Sequence, residues 1–249
     1  MKQPVPLPPK YRLKHLFFDL DDTLWATALN HKVALKQLYA LKGWDRLLPP
    51  FEEFMQEYQP VNNRLWDAYR DGTVSKQELI LSRLRIPLEP YLHRSDEAFY
   101  LRLNEEFFTL IRRQKEVEPF ALEVLQKLGR YYKIHIISNG FVQVQGDKLS
   151  GSGLAPLING QVILSEVAQA NKPSPKIFSY ACSAANARRS ESVMIGDNWG
   201  SDMVGAAGFG MAAIWYNPAQ VPFPADAAPL APEHIPVITS LKELLPLLL

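Results

Sequence analysis

Apolar and polar positions follow two rhythms along this chain, and the change of rhythm divides it. Four short apolar runs are each followed by polar or glycine-rich residues: 15–20 (HLFFDL), 133–138 (KIHIIS), 192–196 (SVMIG) and 211–215 (MAAIW). A fifth, 235–239 (IPVIT), lies near the end. Runs this short, bounded in this way, predict strands buried on both faces. In the second half they alternate with helical spacing over 120–131, 176–187 and 202–207. Buried strands alternating with helices predict an α/β fold, a Rossmann-like doubly wound parallel sheet. The stretch 27–118 reads differently, with helical periodicity in 28–41, 51–58, 62–71, 76–84 and 96–114 and no convincing strand. A helical block after the first strand predicts an inserted lid. The expected organisation is a core of residues 1–26 and 117–249 carrying a helical cap of 27–116. The proline- and alanine-rich stretch 217–233 reads as surface loop, and the last nine residues (LKELLPLLL) as a docked terminal helix.

Composition narrows the class without naming a chemistry. The chain has 249 residues, enough for a buried core, and its 47% hydrophobic and 21% charged residues are ordinary for a globular protein. A formal net charge of +1 gives no footprint for a nucleic-acid polymer. The single cysteine, Cys182, excludes an internal disulfide and a cysteine-based metal cluster; set among Ile177, Tyr180, Ala181 and Ala184, it reads as packing. A reducing cytoplasm is therefore the expected compartment. No signal peptide is visible and no apolar run approaches the ~18 residues of a membrane span, so no membrane partner is expected.

Candidate chemistry gathers where the apolar runs end. The first ends in Asp19-Leu20-Asp21-Asp22-Thr23, and the third in Gly196-Asp197-Asn198-Trp199-Gly200-Ser201-Asp202. Three acids in four positions after a buried strand repel one another unless a cation intervenes. Loops at the carboxyl ends of parallel strands converge on one crevice, so Asp19, Asp21 and Asp197 are expected to meet there around a hard oxygen-seeking cation such as Mg²⁺. A turn or helix cap explains one or two of these acids but not clusters after two separate strands. The second run ends in Ser138-Asn139-Gly140, a hydroxyl followed by backbone N–H groups that suit a phosphate. Lys172, in Asn171-Lys172-Pro173, precedes a predicted helix and gains meaning if it points into the same crevice.

These four pieces, in this order, resemble the motifs of the haloacid dehalogenase-like superfamily. D-x-D-x-T is matched by Asp19, Asp21 and Thr23, the strand-end hydroxyl by Ser138, the lysine by Lys172, and G-D-x-x-x-x-D by Gly196, Asp197 and Asp202. The resemblance implies Asp19 as a nucleophile that becomes an aspartyl phosphate, and Asp21 as acid and then base. It implies that Thr23, grouped with the substrate-binding residues, holds the loop and that Ser138 and the Asn139 backbone bind phosphoryl oxygens. Lys172 and Mg²⁺ would neutralise charge. The metal set would be Asp19, Asp21 (through its backbone carbonyl), Asp197 and, through water or in support, Asp202. The halide-expelling dehalogenases lack the second aspartate of the first motif, so Asp21 favours phosphate ester hydrolysis.

The position of the helical block matches the family's C1 cap. Within it Asn62, Trp66 and Tyr69 fall at i, i+4 and i+7 on one helical face. The run from Tyr58 to Gly72 is similar to the cap of the pyrimidine 5′-nucleotidase-like branch, as are Ile137-Ser138-Asn139-Gly140-Phe141 and Ala213-Ile214-Trp215-Tyr216-Asn217. On pattern alone that face is equally an aromatic core stripe; the likeness implies a small phosphate monoester as partner, a nucleoside monophosphate, read by Asn62, Trp66 and Tyr69. The branch commonly carries glycine three residues before the lysine, where this chain has Gln169. Sugar-phosphate phosphatases, including those for sialic acid 9-phosphate, share most of these motifs. From other classes, a receiver domain would be about half this length without the insertion, and a silent phosphate-binding module would not need both aspartates and Lys172. Oligomeric state is not legible.

Overall fold

The computed structural model describes residues 5–224 and 235–249, so part of the expected 217–233 loop lies outside the described residues. The chain divides into two compact units, Met1–Thr27 with Lys115–Leu249 and, inserted between them, Ala28–Gln114.

Among the described residues the first unit is built on six parallel strands: β1 His15–Phe18, β2 Lys133–Ser138, β3 Val162–Leu164, β4 Ser192–Gly196, β5 Ala212–Tyr216 and β6 Val237–Ile238. Their order in the sheet is β3-β2-β1-β4-β5-β6. Phe17 of β1 stacks on His135 of β2 at 4.5 Å and joins Ile137, Met194, Ala213 and Trp215 in one apolar cluster. The alternate residues Leu16, Phe18, Ile134, Ile136, Val193 and Ile195 are equally buried, so both faces of the sheet are covered, as parallel strands require. Each fully buried Leu, Ile or Phe contributes about 1.5–3 kcal/mol. Helices α8 (Pro175–Ala184) and α9 (Val204–Phe209) pack on the Phe17 face through Ile177, Phe178, Cys182, Ala206 and Ala207. Cys182 thus packs as expected. Helix α5 (Ala121–Leu128) lies against α10 (Leu244–Leu248), and the Tyr132 hydroxyl donates to Leu248 O. Helices α6 (Val142–Gly151) and α7 (Ser165–Ala168) follow β2 and β3.

The inserted unit is helical: α1 Thr27–Leu41, which starts one residue before it, then α2 Phe51–Arg70, α3 Lys76–Leu92 and α4 Glu97–Arg112. Tyr39 packs edge-on against Trp44 and Phe51 at 6.1 and 5.6 Å, and α3 packs against both α2 and α4. Arg83 is fully buried there, giving Nε to Asn104 Oδ1 at 2.6 Å and lying 4.4 Å over the Phe108 ring.

The structure differs from the expected elements in three places. Segments 51–58 and 62–71, expected as two helices, form one helix through Pro60, and α3 runs through Pro87 and Pro90. Packing of α2 on α3 outweighs the lost backbone bonds. Strand β3 has only three residues, too few to show a period. The helix expected over 202–207 opens instead as a wide π turn, Trp199–Met203. Among the described residues no helix is long and apolar enough to cross a membrane.

A histidine pair, buried His135 and half-buried His15, lies near the start of β1 and β2. Gln161 N donates to His135 Nδ1 at 2.9 Å, so the proton of the neutral ring sits on Nε2 and is shared with His15 Nδ1 at 3.0 Å. Burial first, then His15 and Lys133, lower the His135 pKa from 6.5 to about 4. A folded-state pKa below the unfolded value gives stability that is present above about pH 6.5 and lost as pH falls toward 4. By pH 4 the loss should be about 2–3 kcal/mol. Urea midpoints from pH 7 to 4 should therefore fall more steeply in the wild type than in His135→Leu. Parallel slopes would exclude the pair as the source.

Candidate active site

Strand order makes β1 the switch point, with β2 on one side and β4 on the other. Crevices form outside the carboxyl ends of strands at such points. Phe18 pairs with Ile136 and with Ile195, which brings Asp19, Ser138 and Asp197 to the same edge of the sheet. Asp19 continues the ladder by one bond, its N–H reaching Ile195 O at 2.8 Å, which fixes its side chain at the strand end.

Lys172 does point into this crevice. Its Nζ lies 2.6 Å from Asp19 Oδ1 and 2.7 Å from Asp202 Oδ1, and all three residues are buried. Asn139 positions the lysine by clasping its backbone: Lys172 N donates to Asn139 Oδ1 at 2.8 Å, and Asn139 Nδ2 to Lys172 O at 2.9 Å. Asp202 also accepts from Asn198 N at 3.1 Å and Ser201 Oγ at 3.2 Å. Gly196 is required beside it, because a Cβ there would stand 2.2 Å from Asp202 Oδ2.

Carboxylate oxygens of Asp19, Asp197 and Asp202 all lie within 4.8 Å of one another. Burial raises the Asp19 pKa; Lys172 opposes the rise, and Asp202 and Asp21 add to it. Burial, followed by Asp19 and Asp202, pushes Asp197 well above the ordinary range. Lys172 is the reverse case: burial alone would lower its pKa, but the two carboxylates outweigh it and keep the ammonium charged. Three acids against one lysine leave excess negative charge in a buried place. An all-oxygen donor set with that charge fits a hard divalent cation.

Two placements need detail. The acid pattern alone would gather the Asp21 carboxylate at the cation site, whereas the family resemblance gives the metal its backbone carbonyl; the side chain turns to Thr27, Gln145 and Lys148. Burial alone would raise its pKa; the Lys148 charge and bonds from Lys148, Gln145 and Thr27 outweigh it and hold the acid well below the carboxylate range. Thr23 was grouped with the substrate-binding residues and given the role of holding the loop. Its hydroxyl donates to Asp197 Oδ1 at 2.9 Å and accepts from Asp197 N at 3.0 Å, so both functions go to holding the Asp197 loop. Trp215 holds the same loop through Nε1 to Asp197 O at 2.7 Å. Ser138 Oγ accepts from Gly140 N at 2.9 Å and lies 3.3 Å from Asp21 Oδ2.

In the inserted unit Asn62 is buried and accepts from the Tyr58 hydroxyl at 3.3 Å. The Trp66 and Tyr69 rings meet edge-on at 5.8 Å. Gln169 takes φ 51° at the end of α7, the left-handed region in which glycine carries no penalty. That is where the nucleotidase-like branch commonly has glycine. Sequence reasoning missed Thr27, Gln145 and Lys148. The available signal was the i, i+3 spacing of Gln145 and Lys148 directly after the Ser138 strand, which puts both on one helical face.

The model of the haloacid dehalogenase-like hydrolases matches residues 13–210. The chain is 32% identical over 220 residues to the pyrimidine 5′-nucleotidase YjjG of Escherichia coli, covering 86% of this chain and 90% of that one. It is 30% identical over 207 residues to the pyrimidine 5′-nucleotidase PynA of Streptococcus pneumoniae, covering 82% and 84%. The magnesium-bound structure of the HAD-hydrolase YfnB from Bacillus subtilis superposes with a TM-score of 0.82 at 24% identity, covering 95% of this chain and 99% of that one. The chain belongs to the haloacid dehalogenase-like hydrolase family. It is an enzyme of that class, with the phosphatase form of the first motif, Asp19 and Asp21 together, on an α/β core that carries an inserted helical cap.

Proposed function

We propose that this enzyme is a magnesium-dependent phosphomonoesterase working through an aspartyl phosphate on Asp19, and that its substrates are nucleoside 5′-monophosphates. The observation that carries the reaction type is the Asp19 carboxylate at the end of the central strand, paired with Lys172 at 2.6 Å, with Asp21 two residues on. Asp19 attacks phosphorus, the bond from phosphorus to the ester oxygen breaks, and Asp21 gives that oxygen its proton. Asp21 is ionised in the resting arrangement; a phosphoryl dianion arriving at Ser138 adds negative charge beside it and favours the protonated form. In the second half Asp21 takes a proton from water, the water oxygen attacks phosphorus, and the acyl phosphate bond breaks to free phosphate and the Asp19 carboxylate. Lys172 offsets charge at the nucleophile throughout.

Asp19, Asp197 and the Asp21 backbone carbonyl would hold Mg²⁺, with Asp202 in support. The ion supplies Lewis-acid stabilisation of negative charge on the phosphoryl oxygens. Supporting the nucleotide reading are the two nucleotidase relatives and an aromatic and amide set, Asn62, Trp66 and Tyr69, suited to stacking a base and reading its edge. The core unit Met1–Thr27 with Lys115–Leu249 is proposed as the catalytic domain and Ala28–Gln114 as the cap that selects the leaving group.

Phosphate release should be measured with Mg²⁺ and with EDTA across nucleoside monophosphates and sugar phosphates. The expected result is Mg²⁺-dependent turnover with pyrimidine nucleotides preferred. A clear preference for sugar phosphates would replace the substrate class, and full activity in EDTA would remove the metal.

A further inference from the structure

Asp21 is held by more donors than an isolated acid–base carboxylate needs. Thr27 Oγ1 reaches Oδ1 at 2.8 Å, and Lys148 Nζ bonds the same oxygen. Gln145 Nε2 reaches Oδ2 at 2.7 Å, and Ser138 Oγ lies 3.3 Å from it. A carboxylate has about four lone-pair sites, so all of them are occupied. Two of the donors come from one face of α6, where Gln145 and Lys148 are three residues apart. Lys148 is buried between Asp21 and the Trp25 ring, whose centroid lies 4.4 Å from Nζ. Gln145 is seated against the strand end, since a Cβ on Gly140 would come 1.7 Å from its Nε2. Gln145 Nε2 also reaches Ser138 Oγ at 2.7 Å, which ties the proposed phosphoryl-binding hydroxyl to the same frame.

We propose that Lys148, with Gln145, is the positioning residue for Asp21, holding its carboxylate in line with the leaving oxygen while Ser138 turns to the phosphoryl group. Ser138 makes the longest of the four contacts, and its departure frees one lone pair of Oδ2 for the transferred proton. The other three donors prevent the carboxylate from rotating when that happens. A buried ion pair adds little net stability against an apolar pair of the same shape, so fold stability alone gives Lys148 no reason to be charged. This inference rests on the acid–base reading of Asp21.

The test uses the full-length enzyme in excess Mg²⁺ with two esters. Uridine 5′-monophosphate is an alkyl ester whose leaving oxygen needs a proton (ribose 5-phosphate serves if sugars are preferred). 4-Nitrophenyl phosphate releases an anion that does not. Lys148→Met should lower kcat on the alkyl ester about 100-fold, within the range of general acid–base catalysis, with KM nearly unchanged. The single-turnover nitrophenolate burst should fall by less than about tenfold, because proton donation is not needed in that step. Lys148→Arg should restore much of the alkyl-ester kcat. An equal loss on both esters, or an undiminished kcat, in a variant with native circular dichroism overturns the proposal; Lys148→Gln replaces Met if the latter misfolds. Asp21→Asn separates the two levels. Full alkyl-ester turnover in Asp21→Asn rejects the acid–base reading itself, whereas loss there with no loss in Lys148→Met rejects only the positioning role.

Discussion

Asp19→Asn should reduce phosphate release by at least about 10⁴-fold, since removing a nucleophile from a covalent mechanism costs up to ~10⁶. The amide matches the carboxylate in shape but is a poor nucleophile. The fold should not suffer. Burial and the neighbouring acids already disfavour a charge at Asp19, and Lys172 keeps its bond to Asp202 at 2.7 Å. The melting temperature of Asp19→Asn is therefore expected to equal or exceed that of the wild type. Quenching the wild type during turnover should trap phosphate on the chain, and the same quench of Asp19→Asn should trap none. Wild-type turnover in the variant would end the aspartyl-phosphate mechanism.

Lys172→Met should be the most destabilising single change in the site. It removes the ammonium that lies 2.6 and 2.7 Å from the buried carboxylates of Asp19 and Asp202. Breaking a buried pair from one side costs about 3–5 kcal/mol, because the remaining charge has no compensation. For a chain of this size that corresponds to a melting temperature lower by about 10 °C. Adding Asp202→Asn should return part of the stability, since the fully buried Asp202 carboxylate that lost its partner is gone, but none of the activity. A loss below about 1 kcal/mol in the single variant would show that the lysine does not hold the acids together. Thermal melts of the single and double variants in EDTA, where no added cation can replace the ammonium, give the comparison.

The parallel sheet was legible because strands buried on both faces carry nearly unbroken apolar runs, as in KIHIIS and SVMIG. Strand β3 was not, since three residues after Gly160 show no period. The prolines misled in α2 and α3 because local propensity is weak against the packing of one long helix on another. At the site, Asp19, Lys172, Asp197 and Asp202 could be placed from four spaced motifs. The direction of Asp21 could not. It lies two residues from Asp19, yet the intervening turn, with Leu24 N and Trp25 N both donating to Leu20 O, delivers its carboxylate to α6. Gln145 and Lys148 sit in a helix with glycine at positions 146 and 151 and little amphipathic pattern, and such a pair on a helix reads as solvated surface. Only the three-dimensional path of β2 into α6 sets them opposite the first motif.

The hydrogen bonds that join the two chain segments flanking the insertion have a further consequence. Glu118 N donates to Leu24 O at 2.9 Å and Ala26 N to Glu116 O at 3.2 Å, with Trp25 bridged to Val117. The two crossings are thus zipped to each other inside the core unit itself. The entropy of tethering a segment at both ends grows only logarithmically with its length, by about 0.6 kcal/mol per doubling. A catalytic core with such a clasp can accept tethered segments of very different size at almost constant expense. The inserted unit can then change in length while the strand ends of the core unit keep their geometry.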